Sequence, residues 1–244
     1  MRVRVLLSGS WCLDDDGPAF AGKYLNYVSK DYSDAVYRAG ALPLIAPIVP
    51  RQDQIEACVN DFIHEADALI LTGGHDLFPV LFGHEMRQKN HSVLPERDHF
   101  DRALYHAARQ KGIPVLGICR GFQLMLADAG APWLQDLSYA ERELLQHDQE
   151  ASPECPTQRI IFEGQGFLQN VFGKEVWANS FHHLAFLEAR APYEIVARSE
   201  DGVIEAIADE AKRCYGVQFH PEMMAQTQPV MQKLFDAWID LARK

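Results

Sequence analysis

From Val3 to about Ala129 this chain alternates short apolar runs with longer amphipathic segments, and that alternation leaves few architectures open. Val3–Leu7, Leu42–Pro47, Ala68–Leu71 and Val115–Ile118 have the length and apolar character of buried strands. Between them, Ser33–Ala39, Gln52–Glu65 and Glu96–Lys111 read as helices. Ile55, Val59, Phe62 and Ile63 share one helix face; Phe100, Leu104 and Ala107 or Ala108 share another. Gly40 stops the first helix, and Gly112 and Pro114 break the third. A fourth helix follows Ile118 and runs to about Ala129. Such alternation predicts a mostly parallel central sheet with helices on both faces, a three-layer α/β fold. Ligands of these sheets bind beyond the carboxyl ends of the strands.

The second half has a different rhythm. Gln158–Phe162, Glu194–Ser199, Gly202–Ala208 and Arg213–Phe219 read as strands, with Asp201-Gly202 a hairpin turn signal. They predict an antiparallel extension of the same sheet. Gln226–Ala242 closes the chain as an amphipathic helix, with Val230, Leu234, Phe235, Trp238 and Leu241 inward. Asp14–Gly22 reads as a loop, and His75 to about Pro95 as a long polar loop of the kind that borders active sites. With no repeat and no linker, residues 1–244 are expected to form one domain.

A formal charge of −11 argues against nucleic acid or an anionic membrane as partner, because both reward basic patches. Five scattered cysteines, with no CxxC pair, do not form a disulfide framework. The opening Met1–Leu7 is too short an apolar run for a signal peptide, and no run reaches the roughly 18 apolar residues of a membrane span. The expectation is a reduced, cytoplasmic protein.

Three segments carry chemistry. In Gly117-Ile118-Cys119-Arg120-Gly121-Phe122-Gln123 an apolar strand runs into a cysteine between glycines and then into a helix. This is a Gly-x-Cys-x-Gly form of the strand–nucleophile–helix elbow, where the helix N-terminus favours the thiolate. A small buried cysteine between strand and helix would give the same local pattern. In Gly216-Val217-Gln218-Phe219-His220-Pro221-Glu222 a strand ends at a histidine that Pro221 biases towards an extended backbone. His220 is suited to take the thiol proton of Cys119, and Glu222 to orient the imidazole. A surface His-Pro turn is the alternative. In Thr72-Gly73-Gly74-His75-Asp76 two glycines after a strand can turn N–H groups into the cleft, as an oxyanion hole completed by the N–H of Arg120, or can form an ordinary turn.

Taken together with Tyr37–Pro43, Pro79, Arg97-Asp98, Gln135-Asp136-Leu137, Asn179–His183 and Asp201–Ala206, these segments resemble the class I glutamine amidotransferase-like family. The resemblance is nearest to its peptidase C26 branch, the γ-glutamyl-γ-aminobutyrate hydrolase-like proteins. It covers most of the chain and implies a flavodoxin-like core and a Cys119–His220–Glu222 triad. It implies oxyanion donors from the backbones of Gly74 and Arg120, and a pocket that includes Gly73. Gln123 helps hold the glutamyl head, and Ser180 and His182 lie along the same pocket. The implied activity is cysteine-dependent hydrolysis of the γ-glutamyl amide of a small amine, through a γ-glutamyl thioester and with no cofactor. The partner is then a small γ-glutamyl substrate. A glutaminase subunit serving a separate synthetase is the second reading, and a catalytically silent binding protein the third. Oligomeric state and the identity of the amine stay open.

The chain departs from its family pattern at Leu184, where Gln is frequent, at Asp101, where Glu is common, and at Ser8–Cys12. All three are candidates for the leaving-group side of the pocket. Trp11 and Tyr24 are candidate pocket caps. Adjacent His182 and His183 on a strand would point to opposite faces, so no metal is expected there. His75, His84, His91 and His99 are expected to face solvent or substrate.

Overall fold

The alternating burial of β-strand side chains separates two cores. In a computed structural model, which describes residues 1–14, 22–48 and 52–243, Val5 and Leu7 face one core and Leu6 the other. Ala68 and Ile70 likewise oppose Leu69 and Leu71 across the sheet. Both faces of the central strands are therefore dry, as the continuous apolar runs require.

In chain order the first half contains β1 (Arg4–Ser8), β2 (Ser10–Asp14), β3 (Lys23–Tyr27), α1 (Lys30–Arg38), β4 (Leu42–Ala46) and α2 (Ile55–Glu65). β5 (Ala68–Leu71), α3 (Pro95–Lys111), β6 (Val115–Ile118) and α4 (Arg120–Asp128) complete it. The second half adds β7 (Trp133–Leu134), β8 (Gln158–Phe162), α5 (Phe167–Phe172), β9 (Glu175–Ala178), β10 (Ala185–Phe186), β11 (Glu194–Ser199) and β12 (Ile204–Asp209). β13 (Cys214–Val217), α6 (Pro221–Met224) and α7 (Pro229–Ala242) end the chain.

Nine strands form one sheet in the order β4-β1-β5-β6-β13-β12-β11-β8-β9. The first five are parallel, and their spatial order is that of a flavodoxin-like doubly wound core. The last four are antiparallel. α1, α5, α6 and α7 cover one face, and α2, α3 and α4 the other. The fold is thus the expected three-layer α/β one with an antiparallel extension, with one local difference. β13 was expected within the antiparallel extension, yet it pairs parallel with β6 and antiparallel with β12. It is the junction between the two halves.

Two short antiparallel pairs lie outside the main sheet, β2–β3 and β7–β10. The loop expected over Asp14–Gly22 falls largely on residues 15–21, outside the described residues. The long polar loop after β5 holds one turn of 3-10 helix at Pro79–Phe82. Among the described residues, no helix is long and apolar enough to cross a membrane.

Candidate active site

The register of the parallel strands brings the three motifs to one rim. Leu71 stands beside Gly117, and Ile118 beside Val217, so Thr72, Cys119 and Gln218 leave the sheet together. The Cys119 N–H still donates to the Val217 carbonyl at 2.8 Å. Cys119 then turns sharply, with φ 50° and ψ −105°, and α4 begins at Arg120. This is a strained backbone for a side chain with a Cβ, and it points the thiol away from the strand. The turn needs glycine at Gly121, because a Cβ there would collide with the Leu71 carbonyl of β5.

His220 follows β13. Its Nδ1 lies 2.7 Å from Glu222 Oε1, across Pro221. Cys119 and the same imidazole border one side of Gly73, close enough for the thiol to act on the ring electrostatically. Burial works to lower the His220 pKa, but the charges of Glu222 and Cys119 and hydrogen bonds to both lift it well above the ordinary histidine value. The structure therefore gathers Cys119, His220 and Glu222 into one connected group.

Gly73 and Gly74 line the opposite side. A Cβ on Gly73 would sit 2.8 Å from His220 Cε1 and 3.6 Å from Cys119 Cβ. Its N–H donates to the Tyr32 hydroxyl at 2.9 Å, whereas the Gly74 N–H has no acceptor among the described residues. The Arg120 N–H, first in α4, has no acceptor earlier in the helix. Tyr32 is fully internal, and burial together with Glu222 raises its pKa well above the ordinary tyrosine value. It stays a neutral hydroxyl at neutral pH. No sequence motif marks Tyr32; only the packing of α1 against the rim reveals it.

Under the glycine loop lies a buried group of two arginines and two aspartates. Arg97 donates to the carbonyls of Thr72 and Gly73 at 3.1 and 2.8 Å, and to Asp101 at 3.3 Å. Arg120 donates to Asp101 at 2.6 Å and also to Asp98. Asp98 in turn accepts from the Phe78 N–H at 2.9 Å. All four side chains are essentially inaccessible. Their charges balance, so the group can be buried while it fixes both the glycine loop and the start of α4. Asp101 thus belongs to this support and does not line the pocket as its departure from the family pattern had suggested.

The pocket over Cys119 has a volume of about 220 Å³. Cys119, Gln123, Gly74, His75 and His182–Leu184 line it, with Asp76, His91 and Asp148 towards its mouth. Gln123 donates to Gln218 Oε1 at 3.2 Å, which sets the plane of its amide. Ser180 lies outside this lining; its hydroxyl donates to the His147 carbonyl at 2.7 Å. His182 and His183 diverge as expected. His182 turns inward to donate from Nδ1 to the Leu184 carbonyl at 2.8 Å, whereas His183 Nε2 faces Asp76 Oδ1 at 3.0 Å and Nδ1 faces Asp136 at 3.1 Å. Of the two, His183 was not singled out as a pocket residue.

Asn179 is a second residue whose part is visible only in three dimensions. Its side chain holds the backbone of His220 at both the N–H and the carbonyl. Trp11 and Tyr24 stack edge to face, 4.8 Å between ring centres, and line a separate pocket with Asn26, Ile48 and Glu96. His75 and His91 reach the Cys119 pocket, but His84 packs on Trp133 and His99 lines a distant groove.

Comparisons with known proteins agree with this architecture. Residues 13–222 match the Peptidase C26 family. The chain is 30% identical over 223 residues to Protein NtpR of Enterococcus hirae, covering 90% of this chain and 91% of that one. It is 26% identical over 223 residues to gamma-glutamyl-gamma-aminobutyrate hydrolase PuuD of Escherichia coli K12, covering 87% and 85%. A crystal structure of a glutamine amidotransferase from Thermotoga maritima superposes with a TM-score of 0.61 at 13% identity, across the whole of both chains. The chain belongs to the Peptidase C26 family and is a glutamine amidotransferase-like enzyme of amide-bond hydrolysis.

Proposed function

We propose that the chain hydrolyses the γ-glutamyl amide of a small amine, with Cys119 as nucleophile, His220 as base and then acid, and Glu222 as the group that orients His220. The observation that carries this reading is the 2.7 Å contact from His220 Nδ1 to Glu222, on an imidazole that also reaches Cys119 at the floor of a pocket. Glu222 accepts a hydrogen bond from Nδ1–H, so Nε2 is free to exchange a proton with the thiol. The thiolate attacks the side-chain carbonyl. The developing oxyanion accepts hydrogen bonds from the N–H groups of Gly74 and Arg120. His220 protonates the departing amine and leaves a γ-glutamyl thioester on Cys119. Water, deprotonated by His220, attacks the thioester and releases glutamate and the thiol.

The pocket supports a substrate of amino-acid size. Its wall carries the amide of Gln123 and the segment from Phe181 to Leu184, suited to the polar glutamyl head. Its mouth carries Asp76, His91, Asp148 and His183, which would meet the amine portion. The test is a hydrolysis screen of the purified chain against γ-glutamyl amides of GABA, polyamines and amino acids, and against glutamine, with Cys119→Ala as the blank. Turnover of one amide class by the chain alone supports the reading. Glutamine hydrolysis that appears only with a synthetase partner would replace it with the glutaminase-subunit reading, and no turnover with an unreactive Cys119 would support the silent one.

A further inference from the structure

Behind the pocket wall, away from Cys119, two imidazoles and a carboxylate converge on one point. His147, His182 and Glu205 are all buried, and Glu205 is completely so. His147 Nδ1 lies 3.2 Å from His182 Nε2 and 3.3 Å from Glu205 Oε1, and His182 Nε2 lies 3.7 Å from Glu205 Oε1. We propose that these three residues bind one divalent transition-metal ion, with Zn²⁺ the best match.

The spacing is the first argument. Ligands at about 2.0–2.1 Å from a tetrahedral zinc stand roughly 3.3–3.4 Å from one another. The three measured separations bracket that edge.

The orientation of the far nitrogens is the second. His147 Nε2 faces Asp201 Oδ2 at 3.0 Å, and His182 Nδ1 faces the Leu184 carbonyl at 2.8 Å. Each ring spends its N–H on an outer acceptor, one a carboxylate and one a backbone carbonyl. These are the partners that metal-bound histidines use to fix their tautomer. In neutral rings the inward nitrogens are then both lone pairs, aimed at each other with no hydrogen between them. They need a cation.

Glu205 is the third argument. Neither of its carboxylate oxygens has a hydrogen-bond partner, although the residue is fully buried. An ionised carboxylate in that state is costly unless a positive charge meets it. Gln158 Oε1 is also without a partner, and its amide nitrogen lies 2.8 Å from His147 Nδ1. Glu205 inside and Asp201 outside together match the two charges of the ion. Since His182 also lines the Cys119 pocket, a metal here would stiffen the wall from Phe181 to Leu184 and enter from that side.

The competing occupant is a single proton shared by the two rings. The test titrates Co²⁺, then Zn²⁺, into the full chain after dialysis against a chelator. The expected result is one equivalent of Co²⁺ with the strong visible absorption of a tetrahedral site, displaced by Zn²⁺, and a thermal midpoint raised by on the order of 5 °C. Glu205→Gln should lose that equivalent. His91→Ala, which removes one of the two histidines of the other His/Asp cluster at the pocket mouth, should keep it. Absence of stoichiometric uptake by the wild-type chain would overturn the proposal in favour of the proton. So would uptake that survives Glu205→Gln but is lost in His91→Ala. The wild-type arm decides even where a variant fails to fold.

Discussion

Asn179 holds the backbone of His220 at two points: its Oδ1 accepts from the His220 N–H at 2.9 Å, and its Nδ2 donates to the His220 carbonyl at 3.2 Å. The same nitrogen also donates to the Pro153 carbonyl at 2.7 Å. Asn179 never meets a reacting atom, yet it sets where the imidazole stands. Asn179→Ala removes these bonds and leaves buried backbone groups without partners, a loss of about 1–3 kcal/mol. We expect kcat to fall at least tenfold with KM little changed, because the head pocket is untouched. A rise in KM at constant kcat would show that Asn179 serves substrate binding instead.

The pH profile should carry the mark of Glu222. The Glu222 and Cys119 charges hold the His220 pKa well above the ordinary 6.5, against the effect of burial. His220 therefore keeps its proton through neutrality, and kcat/KM should fall on the alkaline side only as His220 loses it. Glu222→Gln keeps the hydrogen bond but removes the charge, so the alkaline limb should move to lower pH. In stability the sign is the same. A raised folded-state value contributes fully below about pH 6.5 and fades as pH climbs through the folded value. An alkaline limb that does not move in Glu222→Gln would contradict the assignment.

The strain at Cys119 makes an unusual prediction about glycine. With φ at 50° and ψ at −105°, any residue with a Cβ is disfavoured there by about 1–3 kcal/mol. Cys119→Ala keeps that strain, whereas Cys119→Gly releases it, so both lose turnover but the glycine variant should be the more stable by about 1 kcal/mol in urea unfolding. An alanine variant as stable as the glycine one would mean that the elbow stores no strain.

Two glycines should fail in different ways. Gly121→Ala drives a Cβ into the Leu71 carbonyl, where strand and helix are both fixed, so the variant should lose several kcal/mol or not fold. Gly73→Ala meets the Cε1 edge of His220 at 2.8 Å, a side chain that can shift. That variant should stay folded and lose most of its turnover. Comparable thermal midpoints for the two variants would contradict this division.

The sequence made much of this legible. Strand–helix alternation foretold the parallel core, because both faces of each central strand are dry and every residue in them must be apolar. The elbow, the His-Pro-Glu turn and the double glycine fell on one rim because parallel strands end at one edge. What stayed hidden has a physical reason in each case. β9 alternates exposed Glu175 and Trp177 with buried Val176 and Ala178, too short a pattern to stand out. Tyr32 reaches Gly73 across 41 residues through helix packing that no local motif records. Asp101 read as a candidate for the leaving-group side of the pocket, whereas it joins Arg97, Asp98 and Arg120 in a balanced set of opposite charges buried in the core. Ser180 read as a pocket residue, yet its hydroxyl is turned back to the His147 carbonyl.

The proposed mechanism requires an activated thiol at Cys119, and its most direct measurement is covalent labelling at neutral pH with a glutamine-like diazo-ketone, read by intact mass and peptide mapping. It predicts a single adduct on Cys119, loss of turnover in step with labelling, and labelling slowed by at least a hundredfold in His220→Ala. A folded wild-type chain in which Cys119 stays unlabelled while it binds a γ-glutamyl amide would contradict it.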